Sequence, residues 1–317
     1  MVTGSVRRVG ERIRISVRLS DAKSEASVWA DRYDRPLAGI IEVQDELTGL
    51  IAAAVANQLE IEIGARIGGR NPTSFASYEL VLEGNWHFKK LTIAANDQAI
   101  VCYNKALAIE PCNAEAMSAL ATGLTSGWLF EFSTEKLAKG VEIGRRAIEC
   151  DPQLAKAYAS TGFGLLFLDG VAAAREPVDR ALALNPDDWF CLTNQSMVCV
   201  YEGNPEEARL WLSRARRLNP LPPVWLAEFD CLTRFGEERY AEVLAGVEAV
   251  PDGAWDMMYA LACYGHLGLS EKARATLARF HSQGRRPDFR LGAEREPYAN
   301  PAVRKLLIEG LKRASAI

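Results

Sequence analysis

The chain has 317 residues, of which 49% are hydrophobic and 25% charged, and its 37 Lys and Arg against 41 Asp and Glu leave a formal net charge of −4. This is the composition of an ordinary globular protein, and it excludes a disordered tail, a collagen-like fibre and a disulfide knot. The near-neutral balance provides no broad positive field, so nucleic acid and anionic membrane surfaces are poor candidate partners.

The sequence contains no candidate membrane span. Its longest apolar stretch, residues 49–56, is followed by Asn57 and Gln58 and falls far short of the roughly 20 residues that cross a bilayer. The opening residues, 1–9, carry arginines where a signal peptide has its apolar core, so no export signal is expected.

The cysteines are odd in number and scattered along the chain. No two of them form a Cys-x-x-Cys pair, so neither a disulfide framework nor a zinc ribbon is suggested. The sequence therefore predicts reduced thiols and a cytoplasmic location, with several thiols filling small apolar gaps in helices. The seven residues are Cys102, Cys112, Cys150, Cys191, Cys199, Cys231 and Cys263.

The first predicted elements are strands. From Val6 to Tyr33 apolar and polar residues alternate, with turn residues at Gly10 and again between residues 23 and 27. This pattern predicts three antiparallel strands with one buried face. The first strand opens the chain and has no partner on its outer side near Ser5, so we predict homodimerisation through this exposed edge.

An amphipathic helix is predicted next, because apolar residues from Ile41 to Leu59 recur about every 3.6 positions. The strands and this helix form a small α/β unit, residues 1–63. Glycines and a proline are concentrated in residues 64–74, which we predict to be a linker. Beyond the linker the pattern is almost entirely helical.

A period of 34 residues dominates the rest of the sequence. Pro152, Pro186 and Pro220 stand 34 residues apart, and Pro111 lies one period plus seven residues before Pro152. Small residues recur five and twelve positions before each proline, where two helices can approach to about 8–10 Å only if the contact residue is small. They are Ala106, Ala147, Ala181 and Ala215, and Ala99, Gly140, Ala174 and Ala208.

This spacing predicts paired helices that stack side by side in about six units over residues 75–284. The units are 75–111, 112–152, 153–186, 187–220, 221–251 and 252–284, and residues 285–317 form a capping segment and last helix. The expected fold is mainly α: an α-α superhelix preceded by a small α/β unit of about three antiparallel strands and one helix.

The repeats resemble the tetratricopeptide (TPR) repeat, in which small residues mark the helix crossings and proline closes the second helix. Residues 4–22, 28–35 and 43–46 resemble the second half of the TolB-like amino-terminal domain, and the endings 297–301 and 309–314 resemble the same bacterial proteins. In those signalling proteins the TolB-like domain commonly joins an effector, often a class III adenylate/guanylate cyclase or a winged-helix domain, to a TPR array. The resemblance therefore implies the regulatory half of a bacterial signalling protein.

The sequence shows no constellation for catalysis. His87, His266 and His281 are its histidines, and none belongs to a His-Glu-x-x-His pair or lies beside a plausible cysteine nucleophile. The stretch Gly162–Gly164 lacks the third glycine of a dinucleotide loop, and no phosphate-binding Gly-Lys-Ser/Thr loop occurs. We therefore expect no catalytic residue, metal or cofactor in this chain.

Partner binding is the predicted function. In TPR arrays the first helix of each pair lines the concave side, and aromatic residues and Met beside Arg and Asn suit a peptide or helix anchor. The alternative is that some of these side chains only pack against the next repeat. The candidate groove residues are Phe163, Phe167, Asn194, Met197, Tyr201, Arg234 and Phe235.

Two other interpretations remain open from the sequence. One is that the chain is the non-catalytic C-terminal part of a class III adenylate/guanylate cyclase. The other is that it is the sensory half of a winged-helix transcription regulator. In both, this chain itself is not the enzyme or the DNA-binding part.

Overall fold

The computed structural model describes residues 2–10, 12–20, 27–36, 77–219, 226–247 and 253–316. The predicted helix between Ile41 and Leu59 and the predicted linker 64–74 lie outside these ranges. The chain divides into two compact units, Met1–Leu59 with Arg217–Leu221 and Glu60–Arg216 with Pro222–Ile317. The domain boundaries expected from the sequence stay predictions.

The first unit contains the three predicted strands. They are β1 (Val2–Val9), β2 (Arg12–Ser20) and β3 (Ser27–Pro36), antiparallel in the order β1-β2-β3. The prediction of three antiparallel strands is confirmed. Among the described strands β1 pairs with β2 alone, so it lies at an edge of the sheet; dimerisation through this edge stays a prediction.

The alternation of apolar and polar residues along β2 gives the strand one buried and one exposed face. Ile13 and Val17 are buried, whereas Arg12 and Arg18 are exposed. The Arg14 guanidinium pairs with its register partner on β3, the Asp34 carboxylate, at 2.9 Å. Both side chains are more than a third exposed, so solvent screens this ion pair and it adds little to the stability of the sheet.

The second unit is helical throughout its described part. The helices among the described residues are α1 (Ser77–Phe88), α2 (Ile93–Ile109), α3 (Ala114–Glu131), α4 (Thr134–Cys150), α5 (Ala155–Asp169), α6 (Val171–Leu184), α7 (Trp189–Glu202), α8 (Pro205–Leu218), α9 (Leu226–Gly236), α10 (Tyr240–Val247), α11 (Ala254–His266), α12 (Ser270–Ser282), α13 (Phe289–Arg295) and α14 (Pro301–Arg313). None of these helices is both long and apolar enough to cross a membrane.

The helices up to α12 follow one another in pairs: α1 packs with α2, α3 with α4, α5 with α6, α9 with α10 and α11 with α12. Between α7 and α8, the Ser196 hydroxyl donates to the Ala208 carbonyl. The first helices of neighbouring pairs also touch, as α3 touches α5, α5 touches α7 and α7 touches α9. In addition α3, from the second pair, packs against α11, from the sixth. The first helices therefore form an inner layer whose two ends approach each other.

The small residues at the predicted crossings are buried, as the 34-residue period requires. Gly162 and Ser196 occupy equivalent positions on α5 and α7. A Cβ on Gly162 would lie 2.5 Å from Val178 Cγ2, and Ser196 Oγ donates a hydrogen bond of 2.8 Å to the Ala208 carbonyl. The buried set is Ala99, Ala106, Gly140, Ala147, Ala174, Ala181, Ala208 and Ala215.

One cysteine prediction is wrong. Cys112 and Cys150 form a disulfide with a Cα–Cα distance of 5.9 Å, because Cys112 precedes α3 and Cys150 ends α4 and the paired helices bring these positions together. Closing a loop of this length stabilises a fold by about 2–4 kcal/mol. The other five cysteines are buried and belong to no disulfide. A disulfide favours an oxidising environment, so the cysteines no longer argue for a cytoplasmic location.

Candidate functional site

The inner layer of helices encloses an apolar cavity of about 70 Å³. Every helical residue that lines it belongs to the first helix of a pair: α1, α3, α5, α7, α9 or α11. The apolar lining consists of Phe88, Leu91, Leu129, Phe130, Phe163, Phe190, Met197 and Phe229. Phe88, Leu91, Leu129 and Phe190 are partly exposed, so the cavity is accessible from solvent.

Hydroxyl and amide groups interrupt this apolar lining. Most of those described donate to a backbone carbonyl of their own helix: Thr125 to Ala121 at 2.9 Å, Ser160 to Ala157 at 3.1 Å, Thr193 to Trp189 at 2.8 Å and Asn194 to Phe190 at 2.9 Å. Their protons are therefore used locally. Thr122 likewise donates to the Ser118 carbonyl at 3.0 Å, and Ser126 supplies a further polar edge. The lining therefore favours an occupant of apolar shape.

The other half of the inner layer is covered by the chain's own C-terminal segment, residues 285–300. Arg285 donates to the Phe130 carbonyl at 2.9 Å, and the Ala299 amide donates to the Tyr201 carbonyl at 2.8 Å. The ring of Phe289 meets that of Phe132 edge-on with centroids 6.4 Å apart. Of the predicted groove residues, Tyr201 is in contact with this segment.

A buried carboxylate anchors the segment. Glu296 is fully buried and accepts hydrogen bonds from the Tyr201 hydroxyl at 2.7 Å, the Tyr259 hydroxyl at 2.6 Å and the Trp255 indole at 2.9 Å. Tyr298 adds a fourth ring, with its hydroxyl 2.9 Å from that of Tyr259. Burial raises the pKa of Glu296 to about 7 even though the three donors oppose the shift.

The structure separates the seven predicted groove residues into three groups. Phe163, Asn194 and Met197 line the cavity. Phe167, Tyr201 and Phe235 are almost completely buried: Phe167 packs between Trp128 and Tyr201, and Phe235 packs against Tyr240 and Tyr259. Arg234 pairs with Glu242 at 3.4 Å. A partner-binding role for these seven residues stays a prediction, and the cavity supports it for the first three alone.

Sequence reasoning missed several lining residues that share a helical pattern. Thr122, Ser126 and Leu129 on α3 have the same 4-then-3 spacing as Phe190, Asn194 and Met197 on α7. That spacing places each trio on one helix face. The shared spacing is present in the sequence. Thr122 and Ser126, however, are small polar residues, and without the cavity nothing distinguishes them from other polar positions of a helix.

Helix pairs that repeat at about 34 residues, with small residues at every crossing, define a tetratricopeptide-type helical-repeat protein. No model of a known protein family matches the chain. Over 154 residues it is 27% identical to the putative adenylate cyclase 3 of Rhizobium meliloti (strain 1021), a match that covers 48% of this chain and 26% of that protein. The match therefore spans about a quarter of the length of this curated relative.

Solved structures of similar fold include TPR proteins. TTC0263, a thermophilic TPR protein of Thermus thermophilus, is 17% identical with a TM-score of 0.44, covering 56% of this chain and 92% of its own. The APC/C hetero-tetramer Cut9–Hcn1 is 12% identical with a TM-score of 0.48, covering 82% of this chain and 47% of its own. YrrB, described as a TPR protein with an unusual peptide-binding site, is 17% identical with a TM-score of 0.32, covering 55% of this chain and 84% of its own.

Proposed function

We propose that the chain is a non-catalytic protein–protein interaction scaffold, and that it binds an apolar side chain of a partner segment in the inner cavity. The observation that carries this proposal is the cavity itself, which is apolar, open to solvent and built from one helix of each pair. Concave apolar sites with a few polar groups are the usual form of binding sites in proteins.

The size of the cavity limits the occupant. A dry cavity of about 150 Å³ accommodates benzene. The volume of about 70 Å³ found here therefore suits a short aliphatic side chain better than an indole ring. Because the lining donors bond within their own helices, an anionic side chain would lose its hydration without gaining donors, and this disfavours it.

The lining chemistry supports binding more than catalysis. Among the described residues that line the cavity, hydroxyls and one amide accompany the apolar groups, and Asp256 is the titratable side chain. A nucleophile activated by a neighbouring base is the usual requirement for covalent catalysis. No cysteine or histidine belongs to this described lining.

Filling the cavity is expected to weaken peptide binding. Peptides selected from a displayed random library on the purified chain should share an aliphatic residue, and Ser126→Phe should lower their affinity at least about tenfold because the new ring occupies the cavity. Fluorescence anisotropy with a labelled peptide measures this change. The matched control is Ser213→Phe, which places the same ring at an exposed position of α8. Equal affinity for wild type and Ser126→Phe, or no selected peptide, would contradict the proposal.

We further propose that this scaffold works as the regulatory half of a bacterial signalling protein. The support is the resemblance of the amino-terminal residues to a TolB-like domain and the partial match to a relative named as a putative adenylate cyclase. Within the same proposal, the alternatives are the non-catalytic C-terminal part of a class III cyclase and the sensory half of a winged-helix regulator.

No cyclic nucleotide is expected from the chain itself. The purified protein would be incubated with ATP or GTP and Mn²⁺, and cyclic AMP and cyclic GMP would be quantified by mass spectrometry. The physical reason is that class III chemistry needs paired metal-binding aspartates, and the cavity residues do not supply them. Cyclic nucleotide above that of a heat-inactivated sample would establish the enzyme interpretation instead.

A further inference from the structure

Three metal-ligating side chains meet between the first two helices, away from the cavity. Glu83 and His87 are four residues apart on α1, so they lie on one face of the helix, and Cys102 faces them from α2. One carboxylate oxygen, one imidazole nitrogen and the cysteine sulfur all lie within 4.8 Å of one another. Nothing in the sequence pattern marked this group, because the third residue comes from a different helix.

The close approach of α1 and α2 produces this geometry. Gly84 lies directly against the Tyr103 ring, and a Cβ at that position would overlap the ring. The Tyr103 hydroxyl then donates to the Asn85 side chain at 3.0 Å. These contacts fix the residue next to Cys102 against the residues next to Glu83, so the spacing of the three groups is set by the backbone.

The surroundings of the group point to a ligand. Glu83 Oε2 is buried and has no hydrogen-bond partner among the described residues, and Cys102 is a free thiol that is only 5% exposed. A buried carboxylate oxygen without a hydrogen-bond donor is unfavourable unless a cation or a proton compensates it. The neighbouring Lys90 does not serve, because its ammonium lies over the Trp86 ring at 3.3 Å.

We propose that Glu83, His87 and Cys102 bind one Zn²⁺ ion, with a water molecule in the fourth position. Thiolate, imidazole and carboxylate are the usual zinc ligands, and a sulfur–nitrogen set excludes Mg²⁺ and Ca²⁺, which prefer oxygen. On binding, the Cys102 thiol releases its proton to solvent and the carboxylate and thiolate charges balance the ion. The ligand atoms must close by a few tenths of an ångström to about 1 Å, which side-chain rotation supplies.

Stoichiometric zinc binding is the expected result. Titration of the full metal-free chain against a chromophoric zinc chelator should show one equivalent, and Co²⁺ should give a thiolate-to-metal charge-transfer band. Glu83→Gln and His87→Gln should each lower the Zn²⁺ affinity by about 100-fold or more, since each removes one ligand. Cys102→Ser should abolish the charge-transfer band.

Two controls separate the site from adventitious binding. Glu79→Gln removes the same charge one helical turn earlier on α1, and His281→Gln removes an exposed imidazole on α12. Both should keep wild-type affinity. If Cys102→Ser does not fold by circular dichroism, the Glu83 and His87 variants decide. Absence of stoichiometric zinc, or unchanged affinity in those two variants, would overturn the proposal.

Discussion

Replacing Gly310 by alanine is expected to lower the free energy of unfolding by about 3 kcal/mol or more. A Cβ at this position would lie 2.5 Å from the Ala262 carbonyl oxygen and 2.9 Å from its carbon, on the facing helix α11. A Cβ added at Gly265 on α11 would in turn overlap the backbone of Gly310. Because backbone atoms cannot rotate aside, α14 must move away from α11.

That displacement is costly because α14 carries buried leucines. Leu307 and Leu311 are fully buried, and exposing either side chain costs about 1.5–3 kcal/mol. Alanine alone would raise helix propensity by about 1 kcal/mol relative to glycine. A net loss of stability would therefore come from steric overlap where α14 crosses α11, because the higher helix propensity of alanine acts in the opposite direction.

Urea denaturation followed by circular dichroism measures this effect. The matched control is Gly236→Ala in α9, where the nearest atom to the added Cβ is a methyl of Val303 at 3.7 Å, an ordinary contact. This control should leave stability unchanged or slightly raised. Equal stability of Gly310→Ala and wild type would show that α14 does not pack on α11 as described.

The sequence predicted the repeats because their cause is local. A helix crossing needs a small residue at a fixed offset from the helix end, so Ala174, Ala181 and Ala208 recur in register and each is buried. The strand alternation is local in the same sense, since each side chain points opposite to its neighbours. Helical repeats and alternating strands can therefore be predicted from the sequence without knowing which other elements pack against them.

The candidate site could be predicted only in part. The sequence does not distinguish an inward-facing apolar residue that lines a cavity from one that packs against another part of the chain. The pattern on α7 places Met197 and Tyr201 on the inner side, yet the first lines the cavity and the second contacts Glu296. What decides between them is the return of residues 285–300, more than 80 positions later in the chain. The Cys112–Cys150 disulfide was not predicted for a similar reason, because it depends on how α3 and α4 pack against each other.

Stability is expected to fall as pH rises from about 4.5 to about 7, through the carboxyl group of Glu296. Burial raises the pKa of this group from 4.5 to about 7. Below about pH 4.5 both the native and the unfolded chain hold the proton. Between the two values the unfolded chain ionises first and binds fewer protons, so rising pH favours unfolding by up to about 3 kcal/mol in total.

The groups around Glu296 account for the direction of this shift. Tyr201 on α7, with Trp255 and Tyr259 on α11, donates to it, and Arg304 on α14 opposes the shift from a greater distance. Desolvation is the largest cause and outweighs all of them. The Glu296 carboxylate therefore has hydrogen-bond donors, but its ionised form is still less stable in the folded protein than in water because it is desolvated.

Glu296→Gln tests this directly, because an amide has the same shape and no charge to lose. The oxygen of its side chain can accept from Trp255, and its amide group can donate to the two tyrosine oxygens, so the variant should fold. Its free energy of unfolding should not change between about pH 4.5 and about pH 7, because it has no carboxyl group to ionise. Glu296→Ala, by contrast, removes the acceptor of the buried Tyr201 and Trp255 donors, at about 1–3 kcal/mol each, while the Tyr259 hydroxyl keeps that of Tyr298 as a partner. Denaturation curves at pH 5 and pH 8 measure both variants. An equal decline with pH in wild type and Glu296→Gln would place the pH dependence elsewhere, and full stability of Glu296→Ala would show that the C-terminal segment is not held by this carboxylate.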